Sequence, residues 1–443
     1  MPRIRTVLLA FVLAAGIVAG QNTSPAQAGI TAFVGVNVLP MDTEKVLQDH
    51  TVIVKGDRIV ELGPSAQVKP PAGARVIEAN GKFLMPGFAE MHGHVPPPGD
   101  PFVDNVLFLY LSNGVTTVRG MLGHPGQLEL RDQTNAGQVL APTLYLAGPS
   151  FSGQSIDSPE QAVQKVREQK AAGWDLLKVH PGPTREEYDA MAKTAREAGI
   201  AFAGHVPKDV GILHALEMGQ QTIDHLDGYL EHLEGHAGTV PEERLRDMAA
   251  RTKAAGAWVV PTMALWETIL GAPPLERLQV YPELKYLPRK TVEMWTSSYQ
   301  KRLAAPTYDR EVAQRVAENR IRLLRVFSGA GVPILFGTDA PQFFSVPGFS
   351  IHREIPKMRQ AGMTPYEILR SGTKAVGEYF KDKDKFGLVA PGHRADLILL
   401  DANPLADVAN LQKRAGVMAR GRWLSEKEIQ ERLAKIERDA QGK

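Results

Sequence analysis

Two histidines separated by one residue close the apolar run FLMPGFAEMHGH at residues 83–94: His92 and His94. Side chains alternate faces along an extended chain, so the pair points one way and can grip one metal ion while Gly93 keeps the backbone clear. Such pairs also occur as ordinary packing or surface residues, so the reading depends on further ligands elsewhere. Four candidates stand at or just past the ends of other strand-like runs: Lys178, His205, His225 and Asp339. Singly, each has a plainer account. Lys178 could be a strand-end lysine reaching for water, His205 or His225 a satisfied polar residue, and Asp339 a helix or turn cap. Together, six ligand-type residues in equivalent positions point to a metal centre. With no cysteine in the chain, nitrogen and oxygen must hold the ion.

The elements that must position these residues alternate in type. Strand-like runs at 84–90, 115–119, 143–147, 174–179, 200–205, 222–225, 257–261 and 333–338 are separated by helical stretches, which predicts an α/β fold with a (β/α)8 TIM-like barrel. Helix boundaries are written in the sequence: Ser158 with Pro159 and Gln161, Thr184 with Glu187, and Thr364 with Pro365 and Glu367 mark starts, and Gly173, Gly199 and Gly219 mark stops. In such a barrel the carboxyl ends of the strands share one face, so residues remote in sequence converge there.

At 443 residues the chain exceeds the need of one small core. Short β-branched runs at 30–38, 50–55, 58–62 and 75–78 predict a small β domain ahead of the barrel. The expected organisation is a signal peptide at 1–28, the first part of the small β domain at 29–83, the barrel at 84–387, the second part of the β domain at 388–424, and an amphipathic helix at 425–443. That helix opens with Ser425 and Glu428 as a capping box and repeats Ile429, Leu433 and Ile436. At the N-terminus Arg3 and Arg5 precede an apolar stretch and the small-x-small triplet Ala26-Gln27-Ala28, which predicts export to the periplasm or medium. The alternative, a retained anchor, would need a longer apolar run. The balance of Lys+Arg 51 against Asp+Glu 49 argues against a nucleic-acid partner. A small-molecule or dipeptide-like substrate, no stable membrane span after signal removal and a homo-oligomer are expected. The long stretch between Thr262 and Ala330 carries Trp266, Tyr281, Tyr286, Trp295 and Tyr299; it reads either as a lid shaping an apolar pocket or as an aromatic helix packed on the barrel or a second subunit.

Several segments carry a family resemblance: PGFAEMHGH (86–94), GVTTVR (114–119), DLLKV (175–179), Gly204-His205, Ile223-Asp-His225, GTDAP (337–341), and PGHRADL (391–397) followed by DANPL (401–405). In order and content the chain resembles the metal-dependent amidohydrolase superfamily over nearly its whole mature length. The resemblance implies that the N- and C-terminal strands complete one small β-sandwich domain. It implies that His92 and His94 hold one metal with Asp339, that His205 and His225 hold a second, and that Lys178 bridges both as a carboxylated lysine. It also implies two divalent ions, zinc the expected choice, that activate water, with Asp339 taking the proton and returning it to the leaving nitrogen. The strand-four lysine and GVTTVR look most like the prolidase-related branch, whose members release a C-terminal amino acid from dipeptides or N-acyl amino acids and some of which hydrolyse ochratoxin. Relatives usually carry an acidic residue after the strand-two arginine, where this chain has Gly120. Arg119, Tyr229 and Arg353, with His180 and His124 in nearby loops, are candidates to receive a substrate carboxylate.

Three function classes follow: a binuclear metallohydrolase cleaving peptide-like amides; a mononuclear relative that opens a cyclic amide or deaminates a ring, for which Lys178 is incidental; and a non-catalytic protein with a vestigial barrel.

Overall fold

The computed structural model describes residues 29–442; the leader read over residues 1–28 lies outside the described residues. Five strands come first: β1 (Ile30–Val38), β2 (Leu47–Lys55), β3 (Arg58–Pro64), β4 (Arg75–Glu78) and β5 (Phe83–Pro86). Parallel strands alternating with helices follow: β6 (Phe88–Gly93), β7 (Val115–Gly120), β8 (Thr143–Leu146), β9 (Leu176–Val179), β10 (Ala201–Gly204), β11 (Thr222–Asp224) and β12 (Trp258–Val260). The chain ends on β13 (Leu397–Leu400), β14 (Arg414–Ala419), β15 (Arg422–Ser425) and the helix Glu426–Gln441.

N- and C-terminal strands share one mixed sheet in the order β15-β14-β13-β5-β1-β2-β3, with β4 also paired to β1. The seam is β5, antiparallel to β13 (Leu84 opposite Leu399) and parallel to β1 (Val38 opposite Leu84). Because β1 pairs with β2, β4 and β5, the ladder is continuous, and the expected two-layered sandwich is a single hydrogen-bonded sheet. The run expected as one strand at 84–90 is split at Pro86–Gly87: β5 stays in this sheet and β6 starts the next. Gly87 is required at the junction, since a Cβ there would stand 2.0 Å from the Thr116 hydroxyl oxygen.

The parallel strands form two sheets, β6-β7-β8 and β12-β11-β10-β9, where a closed eight-stranded barrel is expected. Isolated bridges stand at the junctions, Ala147 with Leu176 and Phe151 with Val179 beside β9, and Val259 with Ile334 beside β12. Competing partners explain the breaks. Pro149 lacks the N–H a ladder needs, and Asp175 Oδ2 takes the Leu146 N–H at 2.9 Å. At 333–338 no regular strand forms, because Phe336 N–H donates to Ser371 O at 3.0 Å and Ala89 N–H to Gly372 O at 2.8 Å, the last residue and the C-cap of the helix Pro365–Ser371. The segment still touches β6, with Met91 N–H donating to Phe336 O at 2.9 Å and Asp339 N–H to His92 O at 2.7 Å.

The main core lies between the parallel strands and their helices, where Val118, Leu144, Leu177, Ile223 and Val259 meet Val166, Met191, Leu216, Met248 and Leu324. Local capping is as read: Thr184 with Glu187, Thr364 with Glu367 and Ser425 with Glu428 each form a reciprocal capping box. The aromatic insertion packs within its own chain. Tyr286, Trp295 and Tyr299 share a cluster with Phe344 and with Ile429, Leu433 and Ile436 of the last helix. No helix among the described residues is long and apolar enough to cross a membrane.

Candidate metal centre

Strand β6 delivers His92 buried at its end and His94, partly exposed, just beyond. Gly93 permits this, because a Cβ there would come within 2.8 Å of both Glu90 Cγ and Tyr110 Oη. His92, His94 and Asp339 offer ligand atoms that all lie within 4.8 Å of one another. His94 Nε2 is 2.7 Å and His92 Nε2 3.8 Å from Asp339 Oδ1, and His225 Nε2 is 3.7 Å from Asp339 Oδ2. Lys178, wholly buried at the end of β9, puts Nζ 3.2 Å from His92 Nε2. The His205 ring lies 4.5 Å and the His92 ring 4.3 Å from that of His225. The chain therefore brings all six sequence candidates together.

Ring orientation is set by partners behind the cluster. The Nδ1–H of His92 donates to Asp224 Oδ2 at 2.7 Å, and that of His205 to Asp227 Oδ2 at 2.6 Å, since an ionised carboxylate only accepts. His225 Nδ1 pairs with Thr262 Oγ1 at 2.8 Å. Each Nε2 is thereby left facing the cluster with a lone pair, the arrangement that metal-ligating histidines use. The decisive fit is His225 Nε2, which is buried without any hydrogen-bond partner; a bound cation would satisfy it. Burial, aided by the positive Lys178, holds His92 well below the usual histidine range, and burial with neighbouring His92 does the same for His225. Neutral imidazoles are the ligating form. Burial likewise pushes Lys178 down to about 8 against the pull of Asp224 and Asp339.

His225, Thr262 and Asp339 all adopt left-handed backbone, with φ of 61°, 43° and 59°. Such conformations cost on the order of 1–3 kcal/mol each and persist where surrounding structure enforces them. Here they aim a side chain at the cluster or at one of its rings.

The candidate substrate receptors fare differently. Arg119 is wholly buried and corrects the expectation: its guanidinium donates to both Asp224 oxygens at 3.2 and 3.3 Å, to Met91 O at 2.6 Å, and to Thr222 Oγ1 and Tyr379 Oη at 3.2 Å each. It braces the carboxylate behind His92 and is out of a substrate's reach. Tyr229 is turned into the core, its hydroxyl 2.8 Å from Thr252 Oγ1 and its ring edge-on to Phe327. Arg353 is engaged by Glu283 through two 2.9 Å bonds and lies over the Tyr281 ring. His180 does stand beside the cluster, its ring 5.1 Å from that of His205, and burial lowers it to about 3. His124 lies in the loop after β7, its backbone N–H donating to Gln127 Oε1 at 3.0 Å.

Sequence reasoning missed Glu90, Asp224, Asp227 and Thr262. Buried Glu90 accepts from the His92 and Thr338 N–H groups at 2.9 and 2.7 Å, tying β6 to the Asp339 segment, and burial pushes it up to about 8. A signal existed for two of them: carboxylates flank His225 in Asp224-His-Leu-Asp227. Replacing Asp224 by asparagine removes the anion that both His92 and Arg119 use. Metal affinity is expected to fall about 10–100-fold, measured by competition with a chromogenic chelator.

The Thr262 hydroxyl oxygen is taken up by the Nδ1–H of His225, so the helix Met263–Leu270 is capped from elsewhere. Glu354, buried, accepts from Met263 N–H and Ala264 N–H at 2.8 Å each. Burial raises its carboxyl from 4.5 to about 7. The folded state thus holds its proton more tightly than the unfolded chain, so this contribution to stability is full below pH 4.5 and lost as pH rises to about 7. Urea melts across that window should show a fall of about 3 kcal/mol that Glu354→Gln removes.

The Amidohydrolase family model matches residues 83–424. The chain belongs to the amidohydrolase family. Among curated relatives, imidazolonepropionase of Arthrobacter sp. (strain FB24) is 24% identical over 426 residues, covering 86% of this chain and 98% of the relative. Adenine deaminase of Paracoccus denitrificans is 27% identical over 222 residues, covering 46% of this chain and only 36% of the deaminase. Ochratoxinase of Aspergillus niger is 21% identical over 460 residues, covering 88% of this chain and 85% of the relative. Among solved structures, bottromycin amidohydrolase has a TM-score of 0.74 at 24% identity, covering 93% of this chain and 90% of its own. A Xaa-Pro dipeptidase with bound methionine has 0.67 at 19%, covering 90% and 100%. The Xaa-Pro dipeptidase and the ochratoxinase among these neighbours match the prolidase-related branch of the family.

Proposed function

We propose that this amidohydrolase is a binuclear metal-dependent hydrolase that releases a C-terminal amino acid from a dipeptide or N-acyl amino acid, ochratoxin-type amides included. The observation that carries the reading is the wholly buried Lys178 with Nζ 3.2 Å from His92 Nε2. A lysine among neutral histidines is a poor ligand as an ammonium, but as a carbamate it offers two anionic oxygens. The depression of Lys178 to about 8 favours the free amine that carbon dioxide requires. In this reading His92, His94 and Asp339 would hold one ion and His205 and His225 the other, with carboxylated Lys178 as the ligand that would serve both, on a TIM-like barrel. Divalent ions, zinc foremost, would supply Lewis acidity and acidify water.

The protein's own part is positional. Asp224 and Asp227 fix the tautomers of His92 and His205. Asp339, largely buried and hydrogen-bonded to His94, is held to accept a proton from the attacking water and return it to the leaving nitrogen. Export and a homo-oligomeric state belong to the same proposal; size-exclusion chromatography of the mature chain tests the latter.

A second reading, favoured by the near full-length match to an imidazolonepropionase, is a mononuclear cyclic-amide hydrolase or ring deaminase. Screening the zinc-loaded protein against Xaa-Pro dipeptides, N-acyl amino acids, lactams and aminopurines separates the two. Release of an amino acid from the first two sets supports the proposal, whereas turnover confined to lactams or aminopurines overturns it.

A further inference from the structure

Asp339 sits on left-handed backbone, φ 59°, a conformation that persists only where the residues around it are held. The chain holds both neighbours. On one side Glu90 Oε1 accepts from Thr338 N–H at 2.7 Å. On the other, Ala340 O accepts from His94 N–H at 2.8 Å and from the Tyr110 hydroxyl at 2.6 Å. Because Asp339 N–H also donates to His92 O at 2.7 Å, two backbone bonds zip together the segments that carry His92, His94 and Asp339. Tyr110 locks the second of these bonds.

Tyr110 belongs to neither segment. It lies in the helix Val103–Ser112, which follows β6 in the chain, and is wholly buried. Its hydroxyl can reach Ala340 O because residue 93 has no side chain: a Cβ there would stand 2.8 Å from Tyr110 Oη. The other oxygen it approaches is His94 O, at 3.5 Å. One hydroxyl thus rests against the glycine between the two histidines and binds the residue that follows Asp339. A carbonyl oxygen has two lone pairs, and at Ala340 one goes to His94 N–H and the other to Tyr110.

We propose that Tyr110 is a positioning residue for the metal centre, its hydroxyl fixing the spacing between the His92–His94 pair and Asp339. The proposal rests on the reading of these three residues as ligands of one ion; a second ion, the carboxylation of Lys178 and the substrate do not enter it. Without the hydroxyl, the Ala340 carbonyl loses its outer partner and the turn at Asp339 is free to relax. The carboxylate then leaves its place 2.7 Å from His94 Nε2.

Tyr110→Phe removes that hydroxyl and keeps the ring that fills the core. Tyr299→Phe is the control, because Tyr299 is equally buried and its hydroxyl also donates to a backbone carbonyl, Pro273 O at 2.5 Å, in the aromatic insertion. Both variants lose the same kind of bond, so a merely structural role affects them alike. Zinc affinity, measured by competition with a chromogenic chelator, is expected to fall about tenfold or more in Tyr110→Phe, the scale for partners behind a ligand, and to stay at the parent value in Tyr299→Phe. The visible spectrum of the cobalt-loaded protein, which reports ligand geometry, is expected to change in Tyr110→Phe alone. Unaltered zinc affinity in Tyr110→Phe overturns the proposal, and so does an equal fall in Tyr299→Phe, which makes the effect a general loosening of the fold. A parent protein that binds no zinc refutes the three ligands first and Tyr110 with them, so the two failures are told apart.

Discussion

Asparagine in place of Asp339 is expected to cut turnover by about a hundred- to ten-thousand-fold, the usual worth of a positioned acid–base group. Asparagine is the informative replacement because it shares aspartate's tolerance of left-handed backbone, and Asp339 sits at φ 59°. The turn after Thr338 should therefore survive, as should its hydrogen bond to His92 O. What is lost is the anion that His94 now contacts at 2.7 Å and that the ring nitrogens of His92 and His225 approach within 4 Å. Turnover and metal content have to be read together on the peptide-like substrate that screening identifies. A large fall in kcat with metal retained and KM little changed supports the acid–base role. Full turnover with metal bound would sink it, and metal loss alone would leave Asp339 as a ligand.

Local sequence signals were legible because their causes are local. A capping box needs two residues three apart, so Thr184 with Glu187 and Ser425 with Glu428 could be read without any knowledge of tertiary contacts. Strand-end placement was nearly as plain, since parallel strands align their carboxyl ends along one edge, and that is why six residues from 92 to 339 could be named as one group. The interruption of the expected barrel was not legible. Whether 333–338 completes a ladder depends on competition from Ser371 and Gly372, which a strand-like apolar run does not record. Arg119 shows the same limit from another side. A sequence displays its charge but not its burial, and its partner Asp224 is 105 residues away. A cation sought for substrate thus turned out to brace a carboxylate behind His92. The aromatic insertion had two readings because Trp295 and Tyr299 announce a packing surface without saying which surface they meet; the last helix and Phe344 supply it.

Lys178→Ala bears on the number of metals. Its side chain is wholly buried with Nζ 3.2 Å from His92 Nε2. If the lysine carries a carbamate, removing it deletes two shared oxygens at once, and bound zinc should fall from about two ions per chain to one or fewer, with turnover falling by about a thousandfold or more. If the lysine is incidental, alanine leaves only a cavity. One ion then remains, and the cost appears in stability as about 2–5 kcal/mol, the range for truncating a large buried side chain. Plasma emission analysis of metal per chain, beside urea melts of the same preparations, separates these outcomes. A carbon-13 carbonate exchange experiment adds an independent check, because a carbamate carbon resonance that disappears in the Lys178→Ala protein can come from no other residue. An unchanged metal count with no such resonance in the parent protein would leave a mononuclear centre of His92, His94 and Asp339, the three ligands already within 4.8 Å of one another.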